Sequence, residues 1–156
     1  MRISSRGEYG VRALFDLALH YGQGPVALKT VAERQAISEH YLEQLMGALR
    51  KAGLVHSVRG AQGGYELALP PAQIRVGDII RALEGRIGPA LAQPRSRRPA
   101  GARGLGIGQV EHQAIERLWR QLTEEINRVL DATTLEDLRR EAEALRAQQG
   151  AYMYHI

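Results

Sequence analysis

Residues 57–67 read S-V-R-G-A-Q-G-G-Y-E-L, and the reading of this stretch decides the fold. Two short β-compatible runs, Leu54–Val58 and Tyr65–Leu69, flank the segment R-G-A-Q-G-G, which is the pattern of a hairpin with an open loop. A nucleotide-phosphate loop would carry a lysine and run into a helix, whereas this chain continues as the strand-like Y-E-L-A-L. A bare turn and a loop with a task differ in what precedes them.

What precedes is a pair of helical patterns joined by three residues. Leu28–Gln35 carries Leu28, Val31 and Ala32 on one face, and Ala36-Ile37-Ser38 interrupts it. Ser38 is a good N-cap for the following helix, in which Leu42, Leu45, Met46 and Leu49 form an apolar stripe and Gly53 supplies the stop. This is a helix-turn-helix spacing. The outer face of its second helix carries Glu39, His40, Glu43, Gln44 and Arg50, residue types that reach base edges or phosphates. An earlier helix runs from Ser4 or Ser5 to Tyr21, with Val11, Leu14, Leu17, Ala18 and Tyr21 recurring at threes and fours. Helix, helix-turn-helix, hairpin is the order of a winged helix, with Arg59 and Gly60 on the wing and Arg59 the side chain suited to a narrow minor groove. A plain pair of packed helices would explain any one of these features and not their order.

Pro70-Pro71 closes the hairpin, and Ile74, Val76, Ile79, Ile80 and Leu83 form another helical pattern that ends at Gly85. Residues 86–108 are rich in Pro, Gly and Arg and contain no acid, which predicts a flexible linker. The G-L-G-I-G-Q-V at 104–110 lacks the strand a dinucleotide site needs before it. The arginines at 95–103 read as a solvated loop, with auxiliary phosphate contacts as the alternative. From Gln109 to Leu130, Ile115, Leu118, Leu122, Ile126 and Val129 form a stripe with little left in the chain to cover it, so a second copy of the same helix is expected. Thr133-Thr134-Leu135-Glu136 has capping-box form and opens a charge-rich helix to about Gln149, and A-Y-M-Y-H-I follows as a tail. Trp119 and Tyr152 read as packing residues.

The predicted fold is mainly α with a small β-hairpin: a winged helix-turn-helix domain (1–85), a linker (86–108), a long dimerisation helix and C-terminal helix (109–150), and a tail (151–156).

Composition narrows the chemistry. At 156 residues the chain is long enough for one ordinary domain, or for a small domain with an appended element. It has no cysteine, so disulfides, thiolate metal sites and cysteine-ligated iron–sulfur clusters are excluded. The five histidines show no metal-ligand spacing, no catalytic constellation appears, and no cofactor is expected. The net charge of +4 divides into +2 over residues 1–85, +5 over 86–108 and −3 over 109–156, which suits a polyanion at the front of the chain. There is no apolar run of 18 residues and no secretory signal at the N-terminus, so a cytoplasmic protein is expected.

The stretches M-R-I-S-S-R-G-E-Y-G, I-S-E-H-Y-L-E-Q-L, A-G-L-V-H-S-V-R-G-A-Q-G-G-Y-E-L and G-D-I-I-R-A-L-E-G closely resemble the Rrf2 family of winged-helix transcription regulators. The resemblance implies a homodimer on double-stranded DNA at a partly palindromic operator. Many members hold an iron–sulfur cluster on three linker cysteines; this linker has none, so that role does not carry over. S-E-H-Y-L-E-Q-L, the segment D-A-T-T-L-E-D-L and the ending A-Y-M-Y-H-I resemble a cysteine-free branch that represses cysteine metabolism. That branch acts with the enzyme O-acetylserine thiol-lyase, and O-acetylserine weakens the complex, which implies a protein partner.

The matching positions imply DNA contacts at Ser38, His40, Tyr41, Glu43 and Gln44 on the recognition helix and at Arg59 and Gly60 on the wing, with Arg2, Ser4 and Arg50 on phosphates. His40 occupies a position that varies in the family, which leaves open the bases read. Tyr154, His155 and Ile156 have two readings. The tail can pack on the dimer, or Ile156 can enter the thiol-lyase active site as serine acetyltransferases do with a C-terminal isoleucine. A regulator sensing a ligand or metal through a non-cysteine pocket, and a helical module that binds no DNA, are the competing classes.

Overall fold

The structure is a computed structural model that describes residues 4–87 and 108–154. Arg2, His155, Ile156 and nearly all of the expected linker lie outside the described residues.

Helix α1 (Ser5–Leu19) buries Leu14, Leu17 and Ala18 of the expected stripe together with Ala13, while Val11 is half-buried and Tyr21, beyond the end of the helix, is exposed. Gly10 brings it close to the fourth helix, where a Cβ would run into Leu83. Helix α2 (Leu28–Gln35) ends at Ala36 in the left-handed region, φ 52°, which lets the Ile37 N–H reach the Ala32 carbonyl at 3.0 Å. Ile37 is buried, so apolar packing offsets a conformation that is costly for a residue with a Cβ. Helix α3 (Glu39–Lys51) starts at Ser38, whose hydroxyl accepts from the Tyr41 N–H at 3.1 Å, and it buries Leu42, Leu45, Met46 and Leu49.

Strands β1 (Val55–Val58) and β2 (Gly64–Leu67) pair antiparallel with Val55 opposite Leu67 and Val58 opposite Gly64. Val55 and Leu67 face the core, while His56 and Glu66 pair outside at 2.9 Å. Val26, in the loop after α1, exchanges backbone hydrogen bonds with Tyr65 at 3.0 and 2.8 Å, stitching the hairpin to the α1–α2 loop. This close approach is open because position 64 is glycine; a Cβ there would strike the Val26 carbonyl.

After a short 3₁₀ turn (Pro71–Gln73), helix α4 (Val76–Glu84) packs Ile79, Ile80 and Leu83 inward. Helix α5 (Gln109–Ala132) buries no residue, and helix α6 (Leu135–Met153) buries only Leu135. The corner between them is tied back to the winged unit. Val76 N–H donates to the Thr133 carbonyl and Leu135 N–H to the Ile74 carbonyl, both at 2.9 Å, with Leu135 and Ile74 fully buried.

Two expectations change here. The cap of α6 is Thr134 with Asp137, one residue after the expected Thr133–Glu136 box, because the pairing with Ile74 and Val76 sets where the corner turns. Helix α6 continues through Gly150 to Met153, so the first residues of the expected tail are helical. Of the two expected packing residues, Trp119 is half-buried and Tyr152 is exposed among the described residues, on the last turns of α6 beyond the core.

Candidate nucleic-acid interface

The stripe that buries Leu42, Leu45, Met46 and Leu49 leaves the opposite side of α3 facing outward, and His40, Glu43 and Gln44 are exposed there. His40 and Gln44 are one turn apart, with the Gln44 amide Nε2 3.3 Å from His40 Nε2. An imidazole that accepts from this amide keeps Nδ1–H as a donor, and the amide keeps its oxygen and a second N–H. Together the pair offers both donors and acceptors to a base edge. Ser38 accepts the capping bond through its oxygen lone pair, so its hydroxyl proton is still available to a phosphate at the positive end of the helix.

Tyr41 has a different surrounding. Its ring stands edge-on to Tyr9 at 6.0 Å between centroids, 84° between planes, and the Arg12 guanidinium lies 5.4 Å over Tyr9. Half-buried there, Tyr41 braces α3 against α1. Arg50 is exposed in the last turn of α3, beside Lys51. Sequence reasoning passed over Lys51; its place in the final turn next to Arg50 is the signal that would have found it.

Only Ala52, Gly53 and Leu54 separate α3 from β1. Gly53 adopts φ 76°, the left-handed geometry that ends the helix, and Leu54 is buried, so recognition helix and hairpin share one core. At the tip, Arg59 is exposed and Gly60 has φ 118°, closed to most residues with a side chain. The Gly63 N–H donates to the Gly60 carbonyl at 3.0 Å, and a Cβ on Gly63 would strike the Val58 carbonyl, so the loop closes tightly below Arg59.

Ser4 has another occupation than the expected phosphate contact. Its N–H and hydroxyl, with the Gly7 N–H, all donate to Glu84 Oε1 on α4, which caps α1 with a carboxylate; a phosphate would have to displace it. Tyr154 follows the last turn of α6 and is exposed.

A network missed by sequence reasoning fixes the angle between α1 and α2. Asp16 is 1% exposed and accepts from Arg34 Nε and Nη2 at 3.0 and 2.7 Å and from Gln35 Nε2 at 3.0 Å, while Arg12 donates to the Gln35 carbonyl. A carboxylate between the buried positions 14 and 17 was the available signal.

Among the described residues no group of three or more His, Cys, Asp or Glu could hold a metal ion, and the whole chain lacks cysteine, so the donor set does not fit a thiolate-bound iron–sulfur cluster. No described helix is long and apolar enough to cross a membrane.

Comparison with known proteins bears on this geometry. The sequence model of the family described as "Rrf2: Iron-dependent Transcriptional regulator" matches residues 3–141. The chain is 43% identical over 156 residues to the HTH-type transcriptional regulator CymR of Bacillus subtilis, covering 100% of both. It is 42% identical over 138 residues to the HTH-type transcriptional regulator IscR of Aliivibrio salmonicida, covering 88% of this chain and 77% of that one. Among solved structures, CymR, described as the global cysteine regulator of B. subtilis, superposes with TM-score 0.73 at 42% identity over 90% of this chain and 98% of that chain. IscR of T. potens superposes with TM-score 0.72 at 46% identity over 93% and 90%.

Proposed function

The chain belongs to the Rrf2 family of winged-helix transcriptional regulators, and from that premise we propose that it is a homodimeric, cytoplasmic repressor of cysteine and sulfur metabolism genes. It is a DNA-binding regulator and not an enzyme, as its relatives are. The observation that carries the metabolic assignment is the 43% identity running the full length of both this chain and the Bacillus cysteine regulator.

In the proposed complex α3 enters the major groove of a partly palindromic operator with His40, Glu43 and Gln44 toward the bases. Ser38 and Arg50 hold phosphates, and Arg59, carried out by Gly60, probes the adjacent minor groove. Arg2 joins the phosphate contacts in this reading. Exposure of Ser38, His40, Glu43, Gln44 and Arg50 along α3 and of Arg59 at the hairpin tip supports it. A dimer is supported by α5. At 100° per residue, the Asn127–Asp131 row that meets α4 lies roughly 165° around the helix from the Ile115–Leu118–Leu122 stripe, which therefore faces away from its own domain. Leu118 is 51% exposed within the chain, an apolar ridge suited to its two-fold mate.

The test is a gel shift on the promoter regions of the chain's own gene and of cysteine-uptake genes, with the salt concentration varied. Log K should fall by about 0.9 per phosphate contact per log unit of salt. Arg59→Ala should weaken specific binding by about 1–3 kcal/mol while leaving the fold intact; full specific binding by this variant at moderate salt removes the wing from the reading. The further part of the proposal is a protein partner, O-acetylserine thiol-lyase, docking at the end of α6. Tyr152, Met153 and Tyr154 are all exposed there, which favours it. The corresponding measurement is binding of the purified enzyme and its weakening by O-acetylserine, with no response to either removing the partner.

A further inference from the structure

We infer that Arg81 is a positioning residue that sets the spacing between the two operator half-sites, by fixing the angle of α5 against the winged unit. The inference rests on the dimeric reading above.

Arg81 reaches from α4 to two residues of α5 that are one helical turn apart. Its Nη1 donates to Asn127 Oδ1 at 2.9 Å, and its Nη2 donates to Asp131 Oδ1, with Asp78 Oδ1 at 3.6 Å from the same nitrogen. One planar guanidinium holding two successive turns restrains both the rotation of α5 about its axis and its slide along α4. Asn127 is itself held, since its Nδ2 donates to the Thr123 carbonyl at 2.8 Å. Gly77 leaves the space: a Cβ there would meet both the Asp131 carboxylate and the Arg81 guanidinium.

Beyond this joint α5 is a lever. Its C-terminal end is anchored by Leu135 and the two backbone hydrogen bonds to Ile74 and Val76, and none of its 24 residues is buried. A 24-residue helix is about 36 Å long, so a tilt of about 5° at the joint moves its far end by about 3 Å. That is close to one base-pair step of about 3.4 Å, and a two-fold axis applies the shift to both protomers. A small freedom at Arg81 is therefore a whole-step freedom in how far apart the recognition helices stand.

The experiment takes a duplex selected by the wild-type protein from a random library and inserts or removes one and two base pairs between its half-sites. Wild type should lose about tenfold in affinity per base-pair change, the scale of one mismatched pair. Each pair also turns one half-site by about 35° about the duplex axis, so Arg81→Met should keep part of that loss but lose about threefold less than wild type per base-pair change, with its dimer mass unchanged by sedimentation. Arg81→Lys keeps a charge for Asp131 and loses the second arm, so an intermediate profile is expected. Asn127→Ala, which leaves the ion pair in place, should broaden the profile even if Arg81→Met does not fold. Wild-type profiles from both Arg81→Met and Asn127→Ala, or from Asn127→Ala alone if Arg81→Met is unfolded, overturn the inference and leave the dimeric regulator standing. A wild-type protein that is monomeric, or indifferent to spacing, overturns the dimeric reading and this inference together.

Discussion

At the scale of single residues, the exposure of the candidate interface positions was legible and the buried polar residue was not. His40, Gln44 and Arg50 fall opposite an apolar stripe, so helical periodicity alone puts them outside, and the glycines around Arg59 announce a loop tip. Tyr41 shares that stretch but turns toward Tyr9, a contact between residues 32 positions apart that no local pattern carries. Asp16 is the opposite case. A charged residue in an amphipathic helix reads as surface, yet here it is buried and accepts three hydrogen bonds from Arg34 and Gln35, joining α1 to the first helix of the helix-turn-helix. Asp16→Ala should therefore destabilise the protein by about 2–4 kcal/mol, the range for removing a buried, charge-assisted acceptor whose partners lose their contacts. A urea titration followed by circular dichroism reads this as a lower midpoint at unchanged slope. Arg34 is partly solvated, so it can recover water and the loss should stay short of a fully stranded charge.

At the scale of elements, order and type follow from sequence pattern, while boundaries follow from tertiary contacts. The expected capping box at Thr133–Glu136 is one residue early because Leu135 must enter the core and its N–H must meet the Ile74 carbonyl. The realised cap has Thr134 Oγ1 accepting from the Asp137 N–H at 3.2 Å and Asp137 accepting from the Thr134 N–H at 2.9 Å. The Thr134 N–H first, and then the Thr134 hydroxyl, which donates to Asp137 Oδ2 at 3.0 Å, hold the Asp137 carboxyl below its ordinary range. A depressed folded-state value means that the stabilisation is present above the unfolded value, about 4, and is lost as pH falls through the folded one. In thermal melts the advantage of wild type over Asp137→Asn should be constant above about pH 5 and shrink steadily below about pH 4. Thr134→Ala should cost about 1 kcal/mol near neutral pH. A difference between wild type and Asp137→Asn that grows toward acid would reverse the sign and refute the cap.

At the scale of the whole molecule, the feature that matters most is a surface with no partner among the described residues. The α5 stripe was legible because five apolar residues at threes and fours exceed what the remaining sequence can cover, and the structure leaves Ile115, Leu118, Leu122 and Val129 exposed. What the pattern could not supply is direction. The row that Arg81 grips turns that ridge outward, and it depends on Asn127 and Asp131, polar residues that read locally as solvated. Replacing both Leu118 and Leu122 with Asp puts charges at the centre of the proposed dimer contact without touching the winged core, so α1 to α4 should stay folded. Each protomer would then meet DNA through one half-site. Independent half-sites forfeit the effective concentration that linkage provides, so operator affinity should fall by about 10²–10⁴-fold. Sedimentation should show a monomer, and the slope of log K against log salt should drop toward half, because about half the phosphate contacts remain per binding event. A double variant that sediments as a dimer with unchanged operator affinity would exclude α5 as the joint, and the two-fold reading of the operator would lose its structural basis.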